Sequence, residues 1–255
     1  MQIITLTSDF GMKDHRLASL KARLIGAIPS DVRFVDISHE VSAYNLVEAA
    51  FLFESAWNHF PSGTIHLLWI YPLESNEIVI ARCQGHIMIA PDNGLLSLID
   101  GAGQMEYYKS KTSAHEYPHE FVFIAELIRQ CIVPNTEMPA FERISQIKQR
   151  IALQPVYSRN EIRASYLYAD RFGNVYFNLK QSIFEKIRNG NRFQVFFKGM
   201  EPLTSISKSY GDVSPGEILC KFNEAGFFQI SQYLGSAVEA LELKEEDSIQ
   251  ILFYD

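Results

Sequence analysis

A chain of 255 residues, 47% hydrophobic and 21% charged, has the make-up of an ordinary globular protein with length enough for a real core. Its net charge of −7 and pI near 5.5 exclude the basic face of a nucleic-acid binder, though not a small cationic ligand. No apolar run approaches the roughly 20 residues of a membrane span, and no basic segment leads into an apolar stretch as in a signal peptide. Cys83, Cys131 and Cys220 are odd in number, far apart and without a C-x-x-C, which fits reduced thiols in a cytoplasmic protein.

In chain order, Ile3-Ile4-Thr5-Leu6-Thr7 is β-branched and reads as a short buried strand. It runs into Ser8-Asp9-Phe10-Gly11, which puts Asp9 at a strand end, where open parallel sheets bind ligands. The same residues also suit a helix cap or turn. Residues 15–27 carry Leu17, Leu20, Leu24 and Ile25 at helical spacing. Residues 32–37 form a second strand, residues 44–59 a second helix, and residues 64–70 a nearly all-apolar third strand, as expected when both faces are covered. Strand–helix–strand–helix–strand predicts a mostly parallel α/β sandwich.

Two strand-like runs follow, residues 77–82 and 85–90, then the turn Pro91-Asp92-Asn93-Gly94. Residues 121–131 are helical in pattern and close a domain over residues 1–150, with the proline-bearing residues 134–155 as its linker. From residue 156 to 255 the pattern changes to short strand-like runs at 161–168, 175–179, 192–197, 218–222, 227–231 and 249–253, with a helical turn or two near 237–243. This predicts an all-β, barrel-like C-terminal domain.

Asp9-Phe10-Gly11 spells the metal-binding tripeptide of protein kinases, but only eight residues precede it, leaving no room for a glycine-rich loop or catalytic loop. His115-Glu116-Tyr117-Pro118-His119 matches the zinc-protease pattern letter for letter. That chemistry needs both histidines on one helical face, and Pro118 interrupts the span; no metal is expected. Phosphate-cradling glycine motifs do not occur. What remains is a set of aspartates after apolar runs, Asp9, Asp36 and Asp170. Each can accept hydroxyl or ammonium hydrogen bonds, and each equally suits a cap or turn.

Taken together, Thr7-Ser8-Asp9-Phe10-Gly11, Val35-Asp36-Ile37-Ser38-His39-Glu40, Phe60-Pro61-Ser62-Gly63-Thr64, Pro91-Asp92-Asn93-Gly94-Leu95-Leu96, Asp170-Arg171-Phe172-Gly173-Asn174 and Asp212-Val213-Ser214-Pro215-Gly216-Glu217 resemble the S-adenosylmethionine (SAM) hydroxide adenosyltransferases, or SAM hydrolases, relatives of the fluorinase and chlorinase. The resemblance runs almost from end to end. It implies an α/β N-terminal domain joined to a C-terminal β-barrel, and a homotrimer with its site between the N-domain of one chain and the C-domain of the next. It also implies attack of water at the ribose 5′ carbon with loss of neutral methionine. SAM is then the substrate, and no cofactor is implied.

Carried over by position, Asp9 binds the ribose hydroxyls and Tyr44 flanks the ligand. Asp170 takes the methionine ammonium, Asn174 the adenine edge, and Ala237 falls in a matching stretch. The reacting positions depart from the family. Its Asp-Pro-Gly after the third strand is Tyr71-Pro72-Leu73 here, and Glu74 stands where halogenases place a small hydroxyl residue; a carboxylate there repels halide at short range. Tyr71, Glu74 and His119 are the catalytic candidates. Glu224-Ala225 replaces the pair that receives the methionine carboxylate, with Arg16 as the compensating cation. Three readings stay open: a SAM hydrolase with an altered catalytic set, a catalytically degenerate nucleoside-binding member, and an enzyme on another small molecule.

Overall fold

The computed structural model describes residues 1–28, 31–70, 77–100, 103–112, 114–132, 141–198 and 200–255. It divides into two units, Met1–Ala152 and Leu153–Asp255. In the first, the β-branched opening stretch becomes β1 (Gln2–Ser8), which pairs in parallel with β2 (Val32–Ser38) and β3 (Ile65–Trp69). β3 pairs in parallel with β5 (His86–Pro91), and β4 (Ile78–Cys83), β6 (Glu106–Ser110) and β7 (Phe141–Ile144) extend the sheet by antiparallel pairing, in the order β2-β1-β3-β5-β4-β6-β7. β4 and β5 form a hairpin through Gln84 (φ 50) and Gly85 (φ 81), the left-handed pair that matches strand twist.

Both faces of this sheet are covered, which is why β3 is apolar throughout. Ile65, Leu67 and Trp69 join the core under α1 (Arg16–Ala27) and α4 (Glu120–Ile132), while Leu68 and Ile70 join the core under α2 (Leu46–Glu54) and α3 (Leu95–Ile99). The second helix begins two residues later than its sequence pattern suggests. Tyr44 sits at φ 69, outside helical geometry, and Asn45 caps the helix by accepting from the Glu48 N–H. It also ends at Glu54, with a separate 3-10 turn at Trp57–His59. Residues 141–144, inside the stretch read as linker, are the strand β7. Beyond it, Lys148 N–H donates to Asp92 Oδ1 at 2.8 Å and Arg150 N–H to Ser97 Oγ at 2.9 Å, which ties residues 148–150 down onto the start of α3.

The second unit is antiparallel. β9 (Glu161–Ala169) is shared: its first half pairs with β14 (Ser248–Tyr254) and its second half with β10 (Val175–Lys180). The short β8 (Val156–Tyr157) pairs with β9, while β11 (Arg192–Phe196), β12 (Ile218–Phe222) and β13 (Phe227–Gln232) complete the order β11-β14-β9-β10-β13-β12. Leu203 bridges to Val195 in β11 and Ile206 to Cys220 in β12, so one segment links the two outer strands and curls the sheet toward a barrel. Its core is built on Phe177, Phe184 and Phe228, all fully buried. Phe184 comes from α5 (Gln181–Arg188), a helix hidden in the sequence among strand-like runs. The helical turn expected near residue 237 is α6 (Ala237–Leu241), capped by Ser236. The fold is thus an α/β N-terminal domain followed by a β-barrel-like C-terminal domain.

Candidate functional site

In the first unit, the carboxyl ends of the parallel strands line one edge of the sheet, the edge where such sheets bind ligands. Asp9 follows β1 directly, half-buried, and its Oδ2 accepts a hydrogen bond from the Tyr44 backbone N–H at 3.1 Å. Tyr44 itself is 62% exposed. A carboxylate fixed by the backbone N–H of an exposed aromatic residue can supply hydroxyl acceptors, and the aromatic residue a stacking surface. The structure therefore brings Asp9 and Tyr44 into direct contact, although 35 residues separate them.

His119 also belongs to this neighbourhood. Its ring packs on Phe121 at 4.9 Å, and Phe121 packs on Phe10, the residue after Asp9, at 5.9 Å. It caps α4: Nδ1 accepts from the Phe121 N–H at 3.1 Å, and its backbone oxygen accepts from Val122. A neutral ring whose Nδ1 accepts must carry its proton on Nε2, so His119 here offers a donor to its surroundings. Acting as a base would require it to release the cap. His115 lies in a 3-10 turn, Ala114–Glu116, before α4 begins. The two histidines of the H-E-x-x-H stretch therefore do not share a helical face, and the described residues contain no group of three His, Cys, Asp or Glu side chains able to hold a metal.

Arg16 opens α1, is 64% exposed, and pairs with Asp14 at 3.7 Å. Tyr71 and Glu74 lie outside the described residues. The strand end that leads to them is well held: Asn93, completely buried, donates from Nδ2 to the Ile70 carbonyl at 2.7 Å and accepts from the Leu95 N–H at 3.1 Å. Gly94 makes this possible by taking φ 93, where a side chain would be strained. The sequence marks Pro91-Asp92-Asn93-Gly94 as a turn and as part of a family-like stretch, but not as this anchor.

In the second unit, Asp170 sits in the turn between β9 and β10. Its Oδ1 accepts from the backbone N–H groups of Phe172 (2.9 Å) and Asn174 (3.0 Å), and its Oδ2 from Asn174 Nδ2 (2.7 Å) and the Tyr176 hydroxyl (3.2 Å). Burial and the Asp170 carboxylate both push the Tyr176 phenol up from its ordinary pKa. Gly173 (φ 77) lies so close to Ser236 that a Cβ there would stand 2.8 Å from the Ser236 Cα, and its carbonyl accepts from Val238 at 3.2 Å. Asp170, Asn174 and Ala237 are therefore neighbours.

Ala225 is not among them. It lies in the turn between β12 and β13, beside the far end of β10, separated from Asp170 by roughly 15 Å of strand. There the Lys180 ammonium donates to the Ala225 carbonyl at 3.2 Å and rests on the Phe227 ring at 3.4 Å. This places a cation next to the Glu224-Ala225 pair, for which the sequence alone offers only Arg16 as compensation. Its signal was weak, since Lys180 ends a strand whose pairing to β13 could not be read from spacing alone.

Two family models match the chain: the SAM hydroxide adenosyltransferase N-terminal domain over residues 4–124 and the C-terminal domain over residues 164–250. The chain is 26% identical to a protein of Methanocaldococcus jannaschii named (R)-S-adenosyl-L-methionine hydrolase, with 99% of this chain and 97% of that one covered. It is 24% identical to a fluorinase of Nocardia brasiliensis, covering 98% and 96%. A crystal structure of an uncharacterized conserved protein from Thermotoga maritima superposes with a TM-score of 0.83 at 25% identity, covering 98% of this chain and 99% of that one.

Proposed function

The chain belongs to the SAM hydroxide adenosyltransferase family, and we propose that it hydrolyses SAM to adenosine and methionine. The observation that carries this reading is the Asp9–Tyr44 contact at the carboxyl edge of the parallel sheet. It supports Asp9 as the acceptor for the ribose hydroxyls and the Tyr44 ring as the surface flanking the nucleoside. In the reaction, water oxygen bonds to the 5′ carbon, the carbon–sulfur bond breaks with its electron pair going to sulfur, and one proton leaves the water. Sulfur departs neutral, so the leaving group needs neither acid nor cofactor. Catalysis then consists of aligning attacker, carbon and sulfur, and of drying the attacker.

Water, with a pKa near 15.7, needs a proton acceptor or strong desolvation to attack. With Nδ1 of His119 occupied by the helix cap, Glu74 takes the role of acceptor, and His119 that of a donor from Nε2. Tyr71 borders the same segment. The carboxylate of Glu74 also argues for hydrolysis over halogenation.

The C-terminal half-site is Asp170, Asn174 and Ala237. All four acceptor positions of Asp170 are engaged within the chain, so an arriving ammonium exchanges with Asn174 Nδ2 or the Tyr176 hydroxyl. Release of Asn174 Nδ2 in that exchange gives it to the adenine edge. Arg16 is the cation offered to the methionine carboxylate; Ala225 and Lys180, at the far end of β10 from Asp170, are too distant to share one methionine with it. The two half-sites act together in a homotrimer, the N-domain of one chain meeting the C-domain of the next. Unpaired cysteines, none of them in a disulfide, fit a cytoplasmic setting.

The engaged Nδ1 of His119 favours a second reading, in which the chain binds a nucleoside and does not turn it over. Incubation with SAM separates the two: adenosine and methionine accumulate under the first reading, while under the second adenosine raises the melting temperature and no product forms. In either case Asp9→Ala weakens nucleoside binding.

A further inference from the structure

The turn that carries Asp9 is fastened from behind. Ser8 and His39 stand at the carboxyl ends of neighbouring strands, and both are buried, 1% and 4% exposed. Ser8 Oγ lies 2.7 Å from His39 Nδ1, and the His39 backbone carbonyl accepts from the Gly11 N–H at 2.7 Å. One residue thus grips the Ser8–Gly11 turn at both ends, with Asp9 between them. On its other side the ring brings Nε2 to 3.1 Å from Asp36 Oδ1, off the line a hydrogen bond needs, and Asp36 Oδ2 accepts from Lys21 Nζ at 2.6 Å.

A carboxylate offers only lone pairs, so a proton on Nε2 faces Asp36, and in the neutral ring that leaves Nδ1 as the acceptor. Nδ1 then accepts the Ser8 O–H, and the Ser8 oxygen keeps its lone pairs for the Phe10 N–H at 3.5 Å. Burial works to raise the Asp36 carboxyl, but Lys21 and His39 outweigh it and hold the group below its ordinary range, charged and able to keep that tautomer. Serine, histidine and aspartate in a row have the make-up of a nucleophilic triad. Ser8 is too deeply buried for a substrate carbon to reach, so the work of the row is to hold position.

We propose that His39 is a positioning residue for nucleoside binding: its Nδ1, through Ser8, sets the turn in which Asp9 meets the ligand. This rests on the reading of Asp9 as the ribose acceptor. Asparagine places its side-chain oxygen where Nδ1 stands and can accept from Ser8, whereas glutamine extends its amide toward the place of Nε2. The test is adenosine affinity by calorimetry on the full chain, with KM and kcat for SAM, for His39→Ala, His39→Asn and His39→Gln. Ser8→Ala serves as a small substitution that cuts the same link from the other side.

The expected order is affinity weakened about tenfold or more in His39→Ala, His39→Gln and Ser8→Ala, but only about threefold in His39→Asn. KM should move more than kcat. Loss of bulk or general stability predicts the reverse order, because glutamine is nearer histidine in size. The proposal is overturned if Asp9→Ala abolishes adenosine binding while all His39 and Ser8 variants stay within twofold of the parent, or if glutamine rescues better than asparagine. If the parent chain binds neither adenosine nor SAM, the reading of Asp9 falls, and this proposal with it.

Discussion

Two histidines buried at the heart of the N-terminal sheet tie its stability to pH. Thr5 Oγ1 lies 2.7 Å from His66 Nδ1, and His66 Nε2 lies 3.0 Å from His86 Nδ1, the rings partly stacked at 5.2 Å. Burial favours the neutral form of both rings, and the row is then satisfied with the Thr5 hydroxyl donating to His66 and His66 donating to His86. Burial, and then the neighbouring His86, lower the His66 pKa to about 3; burial lowers that of His86. A base whose folded pKa is depressed favours folding in its neutral form. Its contribution is therefore full above the unfolded value of 6.5 and is lost as pH falls from there toward about 3.

At pH 5 the unfolded chain has taken up this proton and the folded chain has not, a loss of about 2 kcal/mol from His66 alone. Both tryptophans, Trp57 and Trp69, lie in the first unit, and Trp57 sits edge-on to His86 at 5.1 Å. Urea unfolding followed by tryptophan fluorescence at pH 7.5 and pH 5 therefore reports this unit alone. His66→Asn keeps an acceptor for Thr5 and removes the titrating group. The parent should lose about 2 kcal/mol more than the variant between the two pH values. Equal losses in parent and variant would refute the reasoning, since every other titrating group is common to both.

Two further perturbations test the anchors around the proposed sites. Asn93→Ala strands the buried Ile70 carbonyl and the Leu95 N–H; it should cost about 1–3 kcal/mol in the same fluorescence assay and lower SAM turnover through the segment that follows Ile70. Gly173→Ala combines a left-handed φ of 77 with a Cβ 2.8 Å from the Ser236 Cα. It should destabilise the second unit by about 1–3 kcal/mol, seen as faster amide exchange in β10 and β13, with weaker nucleoside binding through the displaced Asp170.

Strand β1 and the alternation of helices and strands through β3 were legible because strong local patterns wrote them. β-branched residues mark the strands, Leu17, Leu20 and Leu24 mark one helical face, and Pro61-Ser62-Gly63 stops the second helix. Where tertiary contact decides, the pattern was silent. β7 is only four residues long, half of it exposed, and exists by pairing with β6. α5 packs Ile183, Phe184 and Ile187 on the core, but its eight residues are too short a run to stand out among the strand-like stretches on either side. The N-terminal site was legible as Asp9 at a strand end, but the Tyr44 N–H that holds it depends on the left-handed conformation of Tyr44, which no propensity predicts. The Ser8–His39, Thr5–His66 and Asn93–Ile70 contacts join residues 23 to 61 positions apart. Parallel neighbours in a sheet are necessarily distant in sequence, because a crossover must separate them. Ala225 shows the converse: position along the chain suggested that it joins Asp170, and the length of β10 sets them apart.

The most direct test of the central claim is product analysis after the full chain is incubated with SAM, alongside Asp9→Ala. Equal amounts of adenosine and methionine from the parent, with KM for SAM raised at least about tenfold in the variant, are the expected result for a carboxylate holding the ribose hydroxyls. No adenosine from the parent, or undiminished turnover at low SAM in Asp9→Ala, would contradict it.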